Sequence, residues 1–156
     1  MISYQNSRNI LKRGIIKIKD EKIKSINSLN RILSENIYSP IHYPAGYNAA
    51  FDGFAINAKD TNNIKKGIKQ KFKIIGSIAA GNKPFKKKIH KYEAVEIMTG
   101  GIIPKGFNSI IPIEQIIFYP SNNNRKYILV NQKIKKYNHV RFQGSDYKKK
   151  ELVLKK

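Results

Sequence analysis

SPIHYPAGYNAAFDGFAI, residues 39–56, is the stretch on which the reading of this chain turns. Pro40, Pro44, Gly46 and Asn48 interrupt regular structure, and Phe54, Ala55 and Ile56 then resume an apolar run. A single carboxylate, Asp52, stands between Phe51 and Gly53. Glycine accepts a positive φ that other residues resist, so Gly53 is expected to turn the backbone directly after Asp52 and leave its carboxylate facing open space. The residues alone allow two readings of Asp52: an Asx-turn that bonds its own backbone two residues on, or a site acid displayed at a turn.

A second stretch, YEAVEIMTGGIIPKGFNSIIPIE at residues 92–114, has the complementary form. Ala94, Val95, Ile97 and Met98 make a short apolar run suited to a buried strand, and Thr99, Gly100 and Gly101 end it with a hydroxyl and two flexible backbone units. Successive N–H groups free of a nearby Cβ can converge on one oxyanion, with the Thr99 hydroxyl as a further donor. A plain turn after the strand is the competing reading. Neither Gly-Lys-Ser/Thr nor G-x-G-x-x-G occurs, which excludes the common nucleotide-binding loops.

Together the two stretches resemble the molybdopterin molybdenumtransferase family, the gephyrin-like enzymes of molybdenum cofactor biosynthesis. Pro44, Asn48, Ala50, Asp52, Gly53 and Ala55 match the family's Pro-x-Phe-Asp-Asn-Ser-Ala-Met-Asp-Gly-Tyr-Ala pattern. Phe51 and Phe54 are mild replacements, whereas Gly46, Tyr47 and Ala49 stand where the family has Phe, Asp and Ser. The pattern Ile-Met-Thr-Gly-Ala-Pro-x-Pro-x-Gly is met by Ile97, Met98, Thr99, Gly100, Pro104 and Gly106. Gly101 and Ile102 replace its Ala and first Pro. Ala80, Gly81, Pro84 and Phe85 fit an intervening Ala-Gly-x-Pro-Phe segment with one extra residue, while Glu114, Val140, Arg141, Gly144 and Asp146 resemble a returning strand. The resemblance covers most of the chain, in order.

The resemblance implies an α+β, β-rich fold: an irregular, bifurcated or coiled β-sheet assembly with N-terminal helices. It also implies a first domain built from both chain ends, residues 1–43 plus 138–156, with residues 44–137 inserted as a β-rich second domain. The expected activity is insertion of molybdate into adenylyl-molybdopterin with release of AMP, dependent on Mg²⁺. Asp52 and Thr99 take the catalytic positions, with Asp52 an indirect ligand to Mg²⁺ or molybdate, while Asn48, Gly53, Gly100 and Gly101 line the oxyanion and substrate side. Glu114 is a supporting acid by resemblance; the residues alone favour a strand-end carboxylate that caps a loop. The family continues into an α/β domain that carries most of the pterin and nucleotide contacts, followed by a β domain, so this chain corresponds to the N-terminal region. A homodimer or a heteromer with a separate α/β domain protein is expected, and the chain by itself is expected to be inactive or half of a split enzyme. Two alternatives are a nucleic-acid-binding β module and a non-catalytic scaffold or relic of the family.

Composition is compatible with this reading. The 156 residues, 40% of them hydrophobic, suffice for one sizeable domain or two small ones. No apolar run of roughly eighteen residues and no secretory leader is evident. Zero cysteines exclude disulfides and thiolate metal sites, and a cytoplasmic location is expected. Lys and Arg number 31 against 10 acids, a net charge of +21. Lysine outnumbers arginine and is scattered in short runs at 65–66, 86–88, 135–136 and 148–150, the form of solvated turns and edges. Non-specific attraction of nucleic acid and enrichment of oxyanions follow from such a field.

In chain order, Ser3 caps a helix running to about Arg13, with Ile10 and Leu11 apolar and Gly14 as its stop. Residues 15–19 alternate as a strand, and Ile26, Leu29, Ile32 and Leu33 fall at helical spacing, which predicts a second helix. Both apolar stripes are expected to be core. Strands are expected at 72–78, 94–98, 109–118, 127–130 and 139–142, Pro112 marking an edge or bulge, with polar loops at 60–63 and 121–124. His42, His90 and His139 lack ligand spacing, so no zinc site is predicted.

Overall fold

A computed structural model of the chain describes residues 1–14, 18–65, 67–82 and 85–156. The described chain groups into two compact units, one of Met1–Ile37 with Leu154–Lys156 and one of Tyr38–Val153. No helix among the described residues is long and apolar enough to cross a membrane. The architecture is mostly β, as expected, with α1 (Tyr4–Arg13) as its single α-helix among the described residues.

In the first unit, α1 begins where the Ser3 hydroxyl accepts the Asn6 N–H at 3.3 Å and ends where the Gly14 N–H reaches the Ile10 carbonyl at 3.0 Å. Lys12 and Arg13 in its last turn face the negative end of the helix dipole. The expectation of core stripes is corrected here. No residue of α1 is buried, and Ile26, Leu29 and Ile32 are all exposed. The second helix is absent as well; a 3-10 turn at Ser25–Asn27 takes its place. Ser28 Oγ bonds the Ser25 carbonyl at 2.6 Å and Asn30 adopts φ 61°, so short polar side chains compete with the helical ladder and then break it. The strand expected at 15–19 falls largely on residues 15–17, outside the described residues.

The second unit is built on a six-stranded sheet. Its strands are β3 (Gly53–Ile56), β4 (Gln70–Ile78), β5 (Glu93–Ile97), β6 (Ser109–Pro112), β7 (Ile117–Ser121) and β8 (Asn124–Val130), in the order β6-β3-β5-β4-β8-β7. β4 and β5 run parallel, and the other neighbours are antiparallel. A small antiparallel pair joins β2 (Asn48–Ala49) to β9 (Val140–Arg141). The remaining strands, β1 (Ile37–Tyr38) and β10 (Leu152–Leu154), stand where the two units divide.

Alternation sends the side chains of one strand to two cores. Phe54, Ile56, Phe72, Ala94, Ile111 and Ile128 pack on one face; Ala55, Val95, Ile97 and Ile110 pack on the other with Ala49, Ile78 and Phe107. β3 is central and buried at every residue, hence its unbroken apolar composition. Full burial of a side chain such as Phe72 contributes about 1.5–3 kcal/mol.

Proline acts as the sequence predicts: β6, which ends at Pro112, is an edge strand. The single strand expected at 109–118 is divided, because the Ile113 N–H turns to the Asp52 carbonyl at 3.0 Å and a 3-10 turn, Ile113–Gln115, separates β6 from β7. The expected loop at 60–63 is partly a 3-10 helix, Ala58–Thr61, capped by the Asn57 side chain. Thr61 is fully buried, donating to the Ala58 carbonyl at 2.7 Å and accepting the Ile134 N–H at 2.9 Å.

Candidate functional site

Asp52 immediately precedes β3 and Thr99 lies just beyond β5. These strands are antiparallel neighbours with Gly53 opposite Ile97, so the register carries both residues to one end of the sheet although 47 residues separate them. There the Thr99 backbone N–H and its Oγ1 hydroxyl both donate to Asp52 Oδ1, each at 2.6 Å. The hydroxyl bond, then the amide bond, holds the Asp52 carboxyl below its usual 3.8, against a small opposing effect of burial. Asp52 is ionised at neutral pH. Oδ2 accepts no hydrogen bond from a described residue, and the side chain is exposed, so one carboxylate oxygen faces outward. The Asx-turn is not formed.

Gly53 has a different role from the expected one. Its φ is not positive; instead, a Cβ at this position would lie 2.0 Å from the Ile111 carbonyl oxygen. Glycine is required by the close approach of β6 to β3, and that approach fixes where Asp52 sits.

The Thr99-Gly100-Gly101 segment also departs from the expected cradle. Gly100 takes φ +80° and donates its N–H to the Ala49 carbonyl at 2.9 Å, while the Gly101 N–H donates to the Met98 carbonyl at 2.8 Å. With the Thr99 amide on Asp52, all three amides are engaged within the chain. The glycines shape the loop that presents Thr99. Asn48 clamps it from the far side, its Nδ2 donating to the Gly100 carbonyl at 2.6 Å. Asn48 Oδ1 is buried with no hydrogen-bond partner among the described residues, an acceptor left over at the base of the site.

Glu114 follows Ile113, whose N–H is tied to Asp52, so the two acids occupy the same end of the sheet. Glu114 is exposed and accepts no hydrogen bond from a described residue; it does not cap a loop. No group of three or more His, Cys, Asp or Glu side chains that could hold a metal occurs among the described residues. The histidines serve elsewhere: His42 Nδ1 accepts the Lys149 N–H at 3.2 Å, and the His139 ring meets Phe51 edge-on at 4.7 Å.

Two neighbouring features were not resolved by sequence. Arg141, opposite Asn48 in the β2–β9 pair, donates through Nη2 to both Asp146 oxygens at 2.8 and 2.7 Å, and this bond holds the Asp146 carboxyl below its usual value. Tyr47, one of the departures from the family pattern, packs edge-on with Tyr137 and Phe142. The arginine and aspartate were visible as a motif, but the ring cluster unites residues ninety apart and has no local signal.

The geometry agrees with comparison to known proteins. The chain is 28% identical over 155 residues to a molybdopterin molybdenumtransferase of Staphylococcus epidermidis, covering 99% of this chain and 36% of that protein. It is 30% identical over 130 residues to that of Bacillus subtilis strain 168, covering 83% of this chain and 30% of the relative. The crystal structure of a molybdopterin biosynthesis moeA protein from Pyrococcus horikoshii OT3 superposes with a TM-score of 0.83 at 30% identity. That match covers all of this chain and 40% of the other. The chain thus spans about a third of the length of the curated relatives it matches. Pro84 of the Ala-Gly segment lies outside the described residues, but the Asp52 and Thr99 stretches are placed together. Matching over residues 2–156, the chain belongs to the family described as the MoeA N-terminal region (domain I and II).

Proposed function

We propose that this chain supplies one wall of a molybdopterin molybdenumtransferase site, at which molybdate is inserted into adenylyl-molybdopterin with release of AMP. The observation that carries the reading is the Asp52–Thr99 pair: the two most specific motifs meet through a carboxylate fixed at one oxygen and free at the other. The named activity of the Staphylococcus epidermidis and Bacillus subtilis relatives supports it.

The geometry supports a division of labour different from the one expected from sequence. Because its hydroxyl and amide are spent on Asp52, Thr99 is a positioning residue that keeps the acid ionised and aimed. Asp52 acts through Oδ2. A carboxylate repels an oxyanion such as molybdate, so its useful contact is with something that carries protons or positive charge between them. An attacking or leaving water meets that need, Oδ2 accepting its proton-bearing edge. Mg²⁺ also fits, since it is commonly held by one or two carboxylates together with waters and substrate phosphates, and Oδ2 offers one such position. When bound, the ion supplies charge neutralisation at the phosphate. The net charge of +21 raises the local concentration of molybdate and of the anionic pterin nucleotide.

One wall does not orient two substrates, so the second wall comes from a further α/β domain, on the same or a separate polypeptide, in a homodimer or heteromer. The test joins this chain to the remaining two thirds of the Staphylococcus epidermidis relative and measures AMP release from adenylyl-molybdopterin with molybdate. The chimaera should turn over, residues 1–156 by themselves should not, and Asp52→Asn should lower turnover at least about tenfold with circular dichroism unchanged. Undiminished turnover by Asp52→Asn would remove Asp52 from the mechanism, and turnover by residues 1–156 unaided would remove the need for a second wall.

A further inference from the structure

The lysine run at 86–88 plays no part in the site above, yet the fold gives it a setting that sequence did not. β4 is bulged: its register with β5 shifts between Ile74 and Ser77. A bulge frees a backbone carbonyl from the ladder, and here Lys87 Nζ donates to the Ile75 carbonyl at 3.2 Å. A cavity of about 300 Å³ opens beside it, lined by Lys73, Ile74, Ile75, Lys87, Lys88 and Glu93. Three lysines line one space with a single glutamate, and none of these lysines forms an ion pair with Glu93 within 4.0 Å among the described residues. Three like charges gathered with one counter-charge leave a net positive field, which attracts a bound anion.

Glu93 decides which anion. Its Oε2 accepts the His90 N–H at 2.7 Å, and Oε1 accepts nothing from a described residue. A bare carboxylate repels a fully deprotonated anion such as sulfate, but accepts a hydrogen bond from a protonated phosphate, whose second pKa lies near 6 in a monoester. Base stacking is disfavoured on the adjoining strands, because the Lys71 ammonium already covers the Tyr119 ring at 3.8 Å. The cavity is also distinct from Asp52: it lies at the Glu93 end of β5, about 13 Å along that strand from the Ile97 end where Thr99 sits.

We propose that this cavity is a phosphate-binding site, in which Lys73, Lys87 and Lys88 neutralise a phosphate group and Glu93 accepts a hydrogen bond from its protonated oxygen. The phosphate comes from inorganic phosphate or from a small phosphomonoester. Isothermal titration of the chain at pH 6.0 with inorganic phosphate, AMP and sulfate tests it. One saturable site in the millimolar range or tighter is expected, with phosphate or AMP bound at least about fivefold more tightly than sulfate, and the tighter of the two identifying the source. Lys87→Met and Lys88→Met should each weaken binding at least about threefold, and Glu93→Gln should abolish the preference over sulfate. Lys148→Met, with Lys149→Met, removes two charges from a run outside the cavity and should leave binding unchanged. Absence of saturation at about 20 mM, equal binding of sulfate by the unsubstituted chain, or equal loss in the 148–149 variant overturns the proposal. Thermal melts of each variant confirm that the fold is retained; should Glu93→Gln not fold, the preference for phosphate over sulfate and the lysine variants decide alone.

Discussion

Gly53→Ala tests the account of how the site is held. An alanine Cβ there would lie 2.0 Å from the Ile111 carbonyl oxygen, 2.9 Å from the Ile111 carbonyl carbon and 3.0 Å from Pro112 Cα. All three are backbone atoms of β6, so no rotamer change relieves the overlap. The strands must part by more than about 1 Å to reach ordinary contact, and a hydrogen bond lengthened that far ceases to be one. Losing two ladder bonds costs about 1–3 kcal/mol and the overpacking about 1–3 kcal/mol more, for an expected total of about 2–6 kcal/mol. That is a large part of the roughly 5–15 kcal/mol by which domains are stable. Urea unfolding followed by tyrosine fluorescence suits a chain with 9 Tyr and no Trp. With a slope of about 2 kcal/mol/M the midpoint should fall by about 1–3 M. Gly46→Ala is the control, because its nearest neighbour would be Ile102 Cγ2 at 3.8 Å, and it should change stability by less than about 0.5 kcal/mol. A Gly53→Ala midpoint within about 0.5 M of the parent would refute close strand approach as the reason for glycine.

Three further outcomes are expected. Thr61→Val leaves the buried Ile134 N–H without an acceptor, so it should cost about 1–3 kcal/mol in the same urea experiment; a neutral result would mean the Thr61 bonds contribute nothing. Thr99→Val deletes the hydroxyl bond that most lowers the Asp52 carboxyl, so carboxyl NMR should show that group titrating nearer 3.8. The sign follows: a depressed folded-state value contributes stability that is present above 3.8 and lost as pH falls through the folded value, and Thr99→Val should shrink this contribution. An identical titration in the variant would discredit the pair. Titration with RNA should give weak binding that is indifferent to sequence and falls steeply with salt, as counterion release requires; tight, sequence-selective binding at physiological salt would promote a nucleic-acid role.

The sequence determined what depends on neighbours along the chain. Ser3 and Gly14 bound α1 because capping is decided within one turn, and Pro112 marks an edge because it cannot donate to a ladder. The motifs around Asp52 and Thr99 were legible for the same reason. Tertiary structure decided the rest. Helical spacing at Ile26, Leu29 and Ile32 produced no helix, since Ser28 and Asn30 break the ladder and these residues remain exposed, so that no packing offsets the break. Gly53 read as a turn because close strand approach leaves no mark in one strand's sequence. The Gly100 and Gly101 amides read as free because their acceptors, Ala49 and Met98, are set by loop geometry. Asp52 meets Thr99 because β3 and β5 pair with Gly53 opposite Ile97, and a shift of one residue would send every side chain to the other core. Periodicity and turn chemistry are local and appear in the sequence, whereas register is fixed by how two distant apolar faces fill one interior.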